Sequence, residues 1–248
     1  MKMVDVAATS DYWRKLLHID KDEPGDVLAK FNYPHRHLRP FFYFLFGLLA
    51  RFYLRVKAVN IGNLPGRPPY IIAPNHASSL DYPLVAYAIG KKRSSLYVLA
   101  TKFFFDNVFA RVFMKIAANV QRIDIVDDFI PGVRAAAQIL KRGKSVYIQP
   151  EGTRSETGNL LPFRPGVGML AAELGVPIVP VYIHGAINCL PSGSVFIKPG
   201  RIDVNFGRPI TVSKYRDKLK AGNAYYVYKE ITEEVRDSVQ KMRDACLK

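Results

Sequence analysis

The 248-residue chain carries 36 Lys and Arg residues against 21 Asp and Glu residues, a formal net charge of +15. Apolar residues make up 49% and aromatic residues 12% of the chain, which excludes a disordered composition and allows one substantial core. Cys189 and Cys246 form neither a disulfide framework nor a metal-ligand pattern, so we expect no metal and no cofactor. The basic charge predicts an anionic partner, namely nucleic acid, acidic lipid headgroups or an acidic carrier protein.

Residues 1–57 predict a helical appendage of two helices, without the apolar core of a secretory signal. Its most apolar run, residues 41–50, is shorter than the roughly 20 residues that a membrane-spanning helix needs. Dense aromatic residues with basic flanks are typical of a helix that docks at a membrane surface, although a buried core helix is the alternative. The basic flanks are Arg36, Arg39, Arg51, Arg55 and Lys57.

From residue 58 to residue 248 the pattern alternates between strands and helices, which predicts one α/β domain with a single mixed sheet flanked by helices. Strands are expected at residues 70–73, 95–100, 119–125, 145–149, 177–183, 195–197 and 202–206. Helices are expected at about residues 79–89, 106–117, 131–142 and 166–174. A final amphipathic helix is predicted by apolar residues at helical spacing, namely Val227, Ile231, Val235, Val239 and Met242.

The first block of chemical interest, Asn75-His76 with Asp81, follows the predicted strand at residues 70–73. Imidazole titrates near neutrality, and a carboxylate on one ring nitrogen leaves the other free to accept a proton. Positions five apart do not share a helix face. We therefore expect His76 in a loop and Asp81 in the first turn of the next helix, with Ser78 or Ser79 as the N-cap.

The second block, Glu151-Gly152-Thr153-Arg154, follows the predicted strand at residues 145–149. An Arg beside backbone amides near a Gly suits a phosphate group. Ligands in open α/β sheets bind at the carboxyl ends of strands. The sequence therefore predicts that His76 and Arg154 lie in one cleft, where a base acts on a phosphorylated substrate.

These blocks resemble those of the glycerolipid acyltransferases, specifically the bacterial 1-acyl-glycerol-3-phosphate acyltransferases. The resemblance covers roughly residues 58–210 and rests on Asn-His-x4-Asp, a middle block with an Arg, Glu-Gly-Thr-Arg and a Val-Pro-x-Val-Pro strand. In this chain they read Asn75-His76 with Asp81, Gln121-Arg122, Glu151-Gly152-Thr153-Arg154, and residues 176–181. Phe163-Arg164-Pro165-Gly166 is similar to a Phe-Lys-x-Gly block of the same family, with Arg in place of Lys.

The resemblance implies transfer of a fatty acyl group from a thioester donor to the sn-2 hydroxyl of 1-acyl-glycerol 3-phosphate, which forms phosphatidic acid. His76 would be the general base and Asp81 its orienting partner. Candidate ligands for the substrate phosphate are Arg154, Glu151, Gly152, Thr153, Lys102, Arg122 and Arg164. The donor would be acyl carrier protein or acyl-coenzyme A. The enzyme would lie, peripheral or monotopic, on an anionic bilayer surface at the cytoplasmic face of the cell membrane.

Three alternatives remain open at this point. Glycerol 3-phosphate or another lysolipid could be the acceptor within the same family. A basic nucleic-acid-binding protein is a different class, but the chain lacks a known module or interleaved basic and aromatic residues outside its N-terminal segment, so we expect no nucleic acid. A serine lipase or thioesterase would need a Gly-x-Ser-x-Gly elbow, which the sequence does not contain.

Overall fold

The computed structural model describes residues 9–21, 36–101, 119–123, 130–191, 193–194 and 196–247. The helix expected at residues 106–117, the candidate ligand Lys102 and the end of the strand expected at residues 119–125 lie outside the described residues.

The described residues form one seven-stranded mixed sheet with the strand order β1-β7-β6-β2-β5-β3-β4. Strands β2 to β6 run parallel to one another, while β7 pairs antiparallel to β6 and parallel to β1. The strands are β1 (Lys57–Val59), β2 (Ile71–Pro74), β3 (Leu96–Thr101), β4 (Asn119–Ile123), β5 (Ser145–Tyr147), β6 (Ile178–His184) and β7 (Asp203–Phe206). The expected mixed sheet is therefore confirmed.

Helices cover both faces of this sheet, and each face has its own apolar cluster. The helices are α1 (Ser10–Leu16), α2 (Arg39–Leu48), α3 (Asp81–Ala88), α4 (Ile130–Lys141), α5 (Gly166–Leu174), α6 (Ala186–Cys189), α7 (Arg216–Lys220) and α8 (Ala224–Cys246). A π-helical turn, Leu49–Tyr53, continues α2. Short 3-10 turns lie at Arg36–Leu38, Ile61–Asn63, Gly90–Ser95 and Val212–Tyr215.

The strand predicted at residues 195–197 is absent at the two of these residues that the structure describes. Of the residues 195–197, Phe196 and Ile197 lie in the loop between α6 and β7, and Val195 lies outside the described residues. Pro191, Gly193, Pro199 and Gly200 flank this short apolar run. Pro lacks the backbone donor that a ladder requires and Gly weakens a strand, so the run does not join the sheet.

The two helices of the N-terminal segment differ in their surroundings. Leu17, just after α1, is fully buried in the core cluster beneath α4, α5 and α8, and Trp13 stacks on Tyr225 with ring centroids 6.3 Å apart. Arg14 donates to the backbone oxygen of Glu173. Helix α1 thus packs against the core of the α/β domain.

Helix α2 and its π-helical turn instead leave an apolar face uncovered. The described residues contain no helix long and apolar enough to cross a membrane. The exposed large apolar residues of this segment are Phe41, Phe44, Leu45, Leu48, Phe52 and Tyr53. Tyr43, on the same helix, lies under the Arg93 guanidinium, which is 3.8 Å from its ring centroid.

Candidate active site

The candidate site forms where the neighbouring strands β2 and β5 end. Strand β2 is buried along its whole length and ends at Pro74, and the chain then enters a loop that reaches α3 at Asp81. Strand β5 pairs parallel to β2 and ends at Tyr147, ahead of Glu151. The same edge of the sheet therefore holds both sequence blocks, as the sequence predicts.

His76 and Asp81 lie in direct contact. The Nδ1 atom of His76 is 2.9 Å from Asp81 Oδ2, with His76 in the loop and Asp81 as the first residue of α3. Both residues are buried, and Asp81 is 1% exposed. This geometry leaves Nε2 as the ring nitrogen that faces away from the carboxylate, as a general base requires.

Asp81 also organises the loop that carries His76. Its Oδ2 atom accepts the backbone N–H groups of Ala77 at 2.9 Å and of Ser78 at 3.0 Å. Neither Ser78 nor Ser79 is the N-cap that the sequence suggests, because Leu80 occupies that position without a side-chain cap. The Ser78 hydroxyl instead accepts from Leu80 N and donates to the Leu190 carbonyl.

Glu151 connects the His76 loop with the loop that follows the second block. Its Oε1 atom accepts the backbone N–H of His76 at 2.8 Å, and its Oε2 atom accepts that of Leu161 at 3.1 Å. Burial raises the pKa of the Glu151 carboxyl, while the amides of His76 and Leu161 oppose that rise. Glu151 is thus a buried acceptor that fixes where His76 sits, and both of its oxygens already face donors.

Arg154 crosses from the second loop to the first. Its Nη1 atom donates to Ser79 Oγ at 2.8 Å, and its side chain is exposed to solvent. Among the described residues no carboxylate forms an ion pair with Arg154, whose guanidinium carries further N–H donors. The Ser155 backbone N–H donates to the His76 carbonyl at 2.8 Å, which locks the two loops together.

A second cation lies against the same turn. Gly152 has a φ of +74°, and a Cβ atom at this position would come within 2.8 Å of Arg164 Nε. Glycine is therefore required both by the backbone and by the packed guanidinium. Thr153 is exposed beside it, and the Gly152 N–H donates to the Gln149 carbonyl at 3.1 Å.

Of the two remaining predicted ligands, the structure gives the backbone position of Arg122 alone. Arg122 lies in β4, which pairs with β3 and is separated from β2 by β5 and β3. At about 4.8 Å per strand, this is roughly 14 Å across the sheet. Lys102 follows β3 and lies outside the described residues.

Sequence reasoning missed one residue of the site, Gln149. Its side-chain amide lies 2.7 Å from His76 Nδ1 and 3.2 Å from the Tyr147 hydroxyl. Gln149 ends the apolar strand pattern just before the second block. A polar side chain at the end of that pattern is the one sequence feature that could have marked it as a site residue.

The site thus combines a buried imidazole–carboxylate pair at the ends of two strands with the guanidinium groups of Arg154 and Arg164 at the adjoining turn. Comparison with known proteins identifies the family. The acyltransferase family matches residues 55–184, so the chain belongs to the acyltransferase family.

Curated relatives agree with this assignment. The chain is 30% identical over 179 residues to a 1-acyl-sn-glycerol-3-phosphate acyltransferase of Cocos nucifera, covering 69% of this chain and 56% of that protein. It is 29% identical over 196 residues to that of Saccharomyces cerevisiae, covering 75% and 59%. The chain thus spans somewhat more than half the length of these two relatives.

A solved structure shows the same fold. The crystal structure of the 1-acyl-sn-glycerophosphate acyltransferase PlsC from Thermotoga maritima matches with a TM-score of 0.59 and 23% sequence identity. The match covers 95% of this chain and 96% of that chain.

Proposed function

We propose that this chain transfers a fatty acyl group from a thioester donor to the sn-2 hydroxyl of 1-acyl-glycerol 3-phosphate, forming phosphatidic acid. The single observation that carries the proposal is the 2.9 Å contact between His76 and Asp81 beside the Arg154 turn. The acceptor named for the curated relatives has a hydroxyl to deprotonate and a phosphate to bind, and His76 and Arg154 are the groups proposed for these two tasks.

The proposed reaction uses His76 as a general base with Asp81 as its partner. The His76 Nε2 atom takes the proton from the acceptor hydroxyl while Nδ1–H donates to Asp81. The oxygen attacks the thioester carbonyl, and the tetrahedral intermediate collapses with cleavage of the carbon–sulfur bond. The imidazolium returns its proton to the departing thiolate, so no covalent acyl-enzyme is needed.

The acceptor phosphate is proposed to bind Arg154 first and Arg164 second. Arg154 offers further guanidinium donors beside His76, and a guanidinium fork matches phosphate oxygens. Gly152 and Thr153 shape this turn. Glu151 contributes indirectly, because a buried carboxylate that holds the His76 amide positions the loop and does not itself attract an anion. Lys102 and Arg122 remain candidate ligands for the phosphate.

The test is a turnover assay of the full chain with paired substrates. The acceptors are 1-acyl-glycerol 3-phosphate, its dephosphorylated form and glycerol 3-phosphate; the donors are acyl-coenzyme A and acyl carrier protein thioesters. We expect His76→Ala to abolish turnover while it leaves folding intact. Retention of a tenth of the wild-type kcat by that variant would refute the proposed base, and preference for glycerol 3-phosphate would reassign the acceptor.

We propose further that the enzyme is peripheral or monotopic on the cytoplasmic face of the membrane and docks through the exposed face of α2 and its π-helical turn. Aromatic residues with adjacent Arg51, Arg55 and Lys57 suit an anionic bilayer surface. Because α1 packs in the core, the test is substitution and not truncation. Phe44→Ser should release the folded protein from anionic vesicles, and protease access in inside-out but not right-side-out vesicles should identify the face.

A further inference from the structure

The loop between α6 and β7 links the catalytic loop to the docking segment. At its start, the Leu190 carbonyl accepts the hydroxyl of Ser78, two residues from His76, at 2.8 Å. At its end, the Gly200 N–H donates to the Tyr53 carbonyl at 3.2 Å, and the Tyr53 hydroxyl donates to the Ile197 carbonyl at 3.1 Å. One short loop therefore touches both regions.

Phe196 is the outermost side chain of this loop. It is 79% exposed, and no large apolar residue in the described part of the chain is more exposed. The carbonyl of its neighbour Ile197 accepts the Tyr53 hydroxyl, so Phe196 lies next in the chain to a residue bonded to the π-helical turn that follows α2. Single exposed apolar residues are common, but an exposed aromatic side chain beside an apolar face is typical of a surface that contacts a membrane or another protein.

The basic residues around this surface favour an anionic bilayer as the partner. Lys198 is exposed two residues from Phe196, and Arg51 lies 5.8 Å from the Phe52 ring centroid. Aromatic rings that insert, beside cations with flexible stems that remain at headgroup level, fit an anionic bilayer better than a flat protein surface.

We propose that residues 196–200 are a second lipid-contacting element, with Phe196 inserting into the leaflet and Lys198 binding headgroup phosphate. The inference rests on the proposed membrane docking and extends it. Two contacts, one on α2 and one on this loop, fix the orientation of the protein on the bilayer. They hold the His76 loop at headgroup level, where the hydroxyl of a lysolipid lies.

The experiment compares Phe196→Ser with Tyr226→Ser in the full chain. Tyr226 is a matched control because it is 67% exposed on α8 and its ring packs edge-on to Tyr225. Vesicle sedimentation should show about tenfold weaker binding for Phe196→Ser, from the loss of one inserted aromatic ring, and no change for Tyr226→Ser. Turnover should fall on acceptor embedded in vesicles and stay unchanged on a short-chain acceptor below its micellar concentration.

A charge variant separates the two contributions. Lys198→Glu should weaken binding to phosphatidylglycerol vesicles and leave binding to phosphatidylcholine vesicles unchanged. Wild-type binding by Phe196→Ser, or an equal loss in Tyr226→Ser, would overturn the inference. If Phe44→Ser also binds vesicles normally, the docking proposal itself fails. If Phe44→Ser loses binding and Phe196→Ser does not, docking through α2 stands and the lipid contact at residues 196–200 is refuted.

A second, independent observation concerns Gln149. The Nε2 atom of its terminal amide lies 2.7 Å from His76 Nδ1, and Asp81 Oδ2 lies 2.9 Å from the same ring nitrogen. The oxygen and nitrogen of an amide have nearly the same shape, so the hydrogen-bond partners decide which one faces the ring.

The partners favour the amide oxygen. Asp81 Oδ2 is an acceptor, since it already receives the amides of Ala77 and Ser78, and it requires the proton on Nδ1. An amide N–H pointing at that proton would be repelled. The Tyr147 hydroxyl lies 3.2 Å from the same terminal atom of Gln149 and can donate to an oxygen as readily as it accepts from a nitrogen. With the amide oxygen towards the ring, Gln149 would accept from both His76 and Tyr147.

The geometry points to Gln149 as a positioning residue that shares the Nδ1 proton with Asp81. It holds His76 in the tautomer whose Nε2 lone pair faces the acceptor hydroxyl, and it supports the imidazolium after proton transfer. The inference depends on His76 being the base of the proposed reaction.

Its test uses Gln149→Met, which keeps length but lacks an acceptor, and Gln149→Glu, which has only acceptors. We expect Gln149→Met to lower kcat about 10- to 100-fold, the usual range for a proton-transfer contribution, with KM little changed. Gln149→Glu should retain more activity and move the ascending limb of the pH–rate profile to higher pH. The control is Gln138→Met, which removes another buried amide far from His76 in sequence and should leave both readouts unchanged.

Nitrogen-15 spectra of labelled histidine, with the His76 signals identified by their loss in His76→Gln, report the tautomer directly. We expect Nδ1–H in the neutral wild type and a mixture of tautomers in Gln149→Met. A neutral wild-type ring protonated on Nε2, or an unchanged kcat and pH profile in Gln149→Met, would overturn the inference. If His76→Ala retains turnover, the proposed base fails before this question arises.

Discussion

Replacing Asp81 by Asn tests whether its charge, and not only its shape, is needed. In Asp81→Asn the amide oxygen can take the place of Oδ2 and keep the contacts to His76, Ala77 and Ser78. The Oδ1 position has no partner among the described residues, so the new NH2 group finds none and costs about 1 kcal/mol of folding stability. The fold and the loop should therefore survive.

The catalytic cost is larger. The 2.9 Å contact places the carboxylate charge about 4 Å from the centre of the imidazolium. At an effective dielectric constant of about 20, that attraction is worth about 4 kcal/mol. Its loss in the transition state corresponds to a fall in kcat of about a thousandfold.

The assay measures kcat on saturating lysolipid together with the free energy of unfolding in urea. Asp217→Asn, an exposed carboxylate in the first turn of α7, is the matched control and should change neither. Asp81→Ala should add about 2–4 kcal/mol of destabilisation, because two buried loop amides lose their acceptor. If Asp81→Asn kept more than a tenth of wild-type kcat, the carboxylate would serve the loop and not the base.

Three further changes probe the surroundings of this dyad. Arg154→Ala should lower kcat/KM by about 30-fold or more on the phosphorylated acceptor but not on its dephosphorylated form; equal losses on both would assign Arg154 a structural role. Glu151→Ala should cost about 2–5 kcal/mol of stability in denaturant titrations, because the His76 and Leu161 amides lose their acceptor. Burial raises the pKa of Glu151 above its ordinary value of 4.5. The wild type should therefore lose stability relative to Glu151→Gln as the pH rises through this range, and a gain in the stability of the wild type relative to Glu151→Gln would contradict this. Gly168→Ala should destabilise the contact between α5 and α8 by about 1–3 kcal/mol, because its Cβ would press on the Tyr228 carbonyl and Thr232; an unchanged melting temperature would contradict the close approach.

The sequence was sufficient to predict the sheet and the meeting of the two blocks, because both depend on local pattern. Residues 71–74 and 178–183 are continuous apolar runs, which mark buried parallel strands. Helix α5 has the predicted bounds, Gly166–Leu174. The placement of His76 in a loop and Asp81 in the first helical turn followed from their spacing alone.

The features that the sequence did not predict depend on which segments meet in three dimensions. Strand β1 has only three residues and is defined by its pairing with β7, not by an apolar pattern. The contact of Gln149 with His76 joins residues 73 positions apart. The apolar run at residues 195–197 satisfied the strand pattern, but its Pro and Gly flanks decided against the sheet.

The two helices of the N-terminal segment have similar compositions but different surroundings. Both α1 and α2 are short, aromatic and amphipathic, so their patterns alone assign them to the same appendage. What separates them is a polar anchor: Ser10 and the Tyr228 hydroxyl both bond to the buried Glu173, and Arg14 pairs with the same carboxylate. Helix α1 thereby packs against the core cluster of α5 and α8, whereas the contacts of α2 include Phe46 against Tyr87, Tyr43 under Arg93, and Arg39 with Asn119. The opposite side of α2 remains apolar and exposed, and it continues through Tyr53 to the loop that touches Ser78. The two helices therefore differ in environment: α1 packs against the core cluster, whereas α2 keeps the exposed apolar face on which the proposed membrane docking rests.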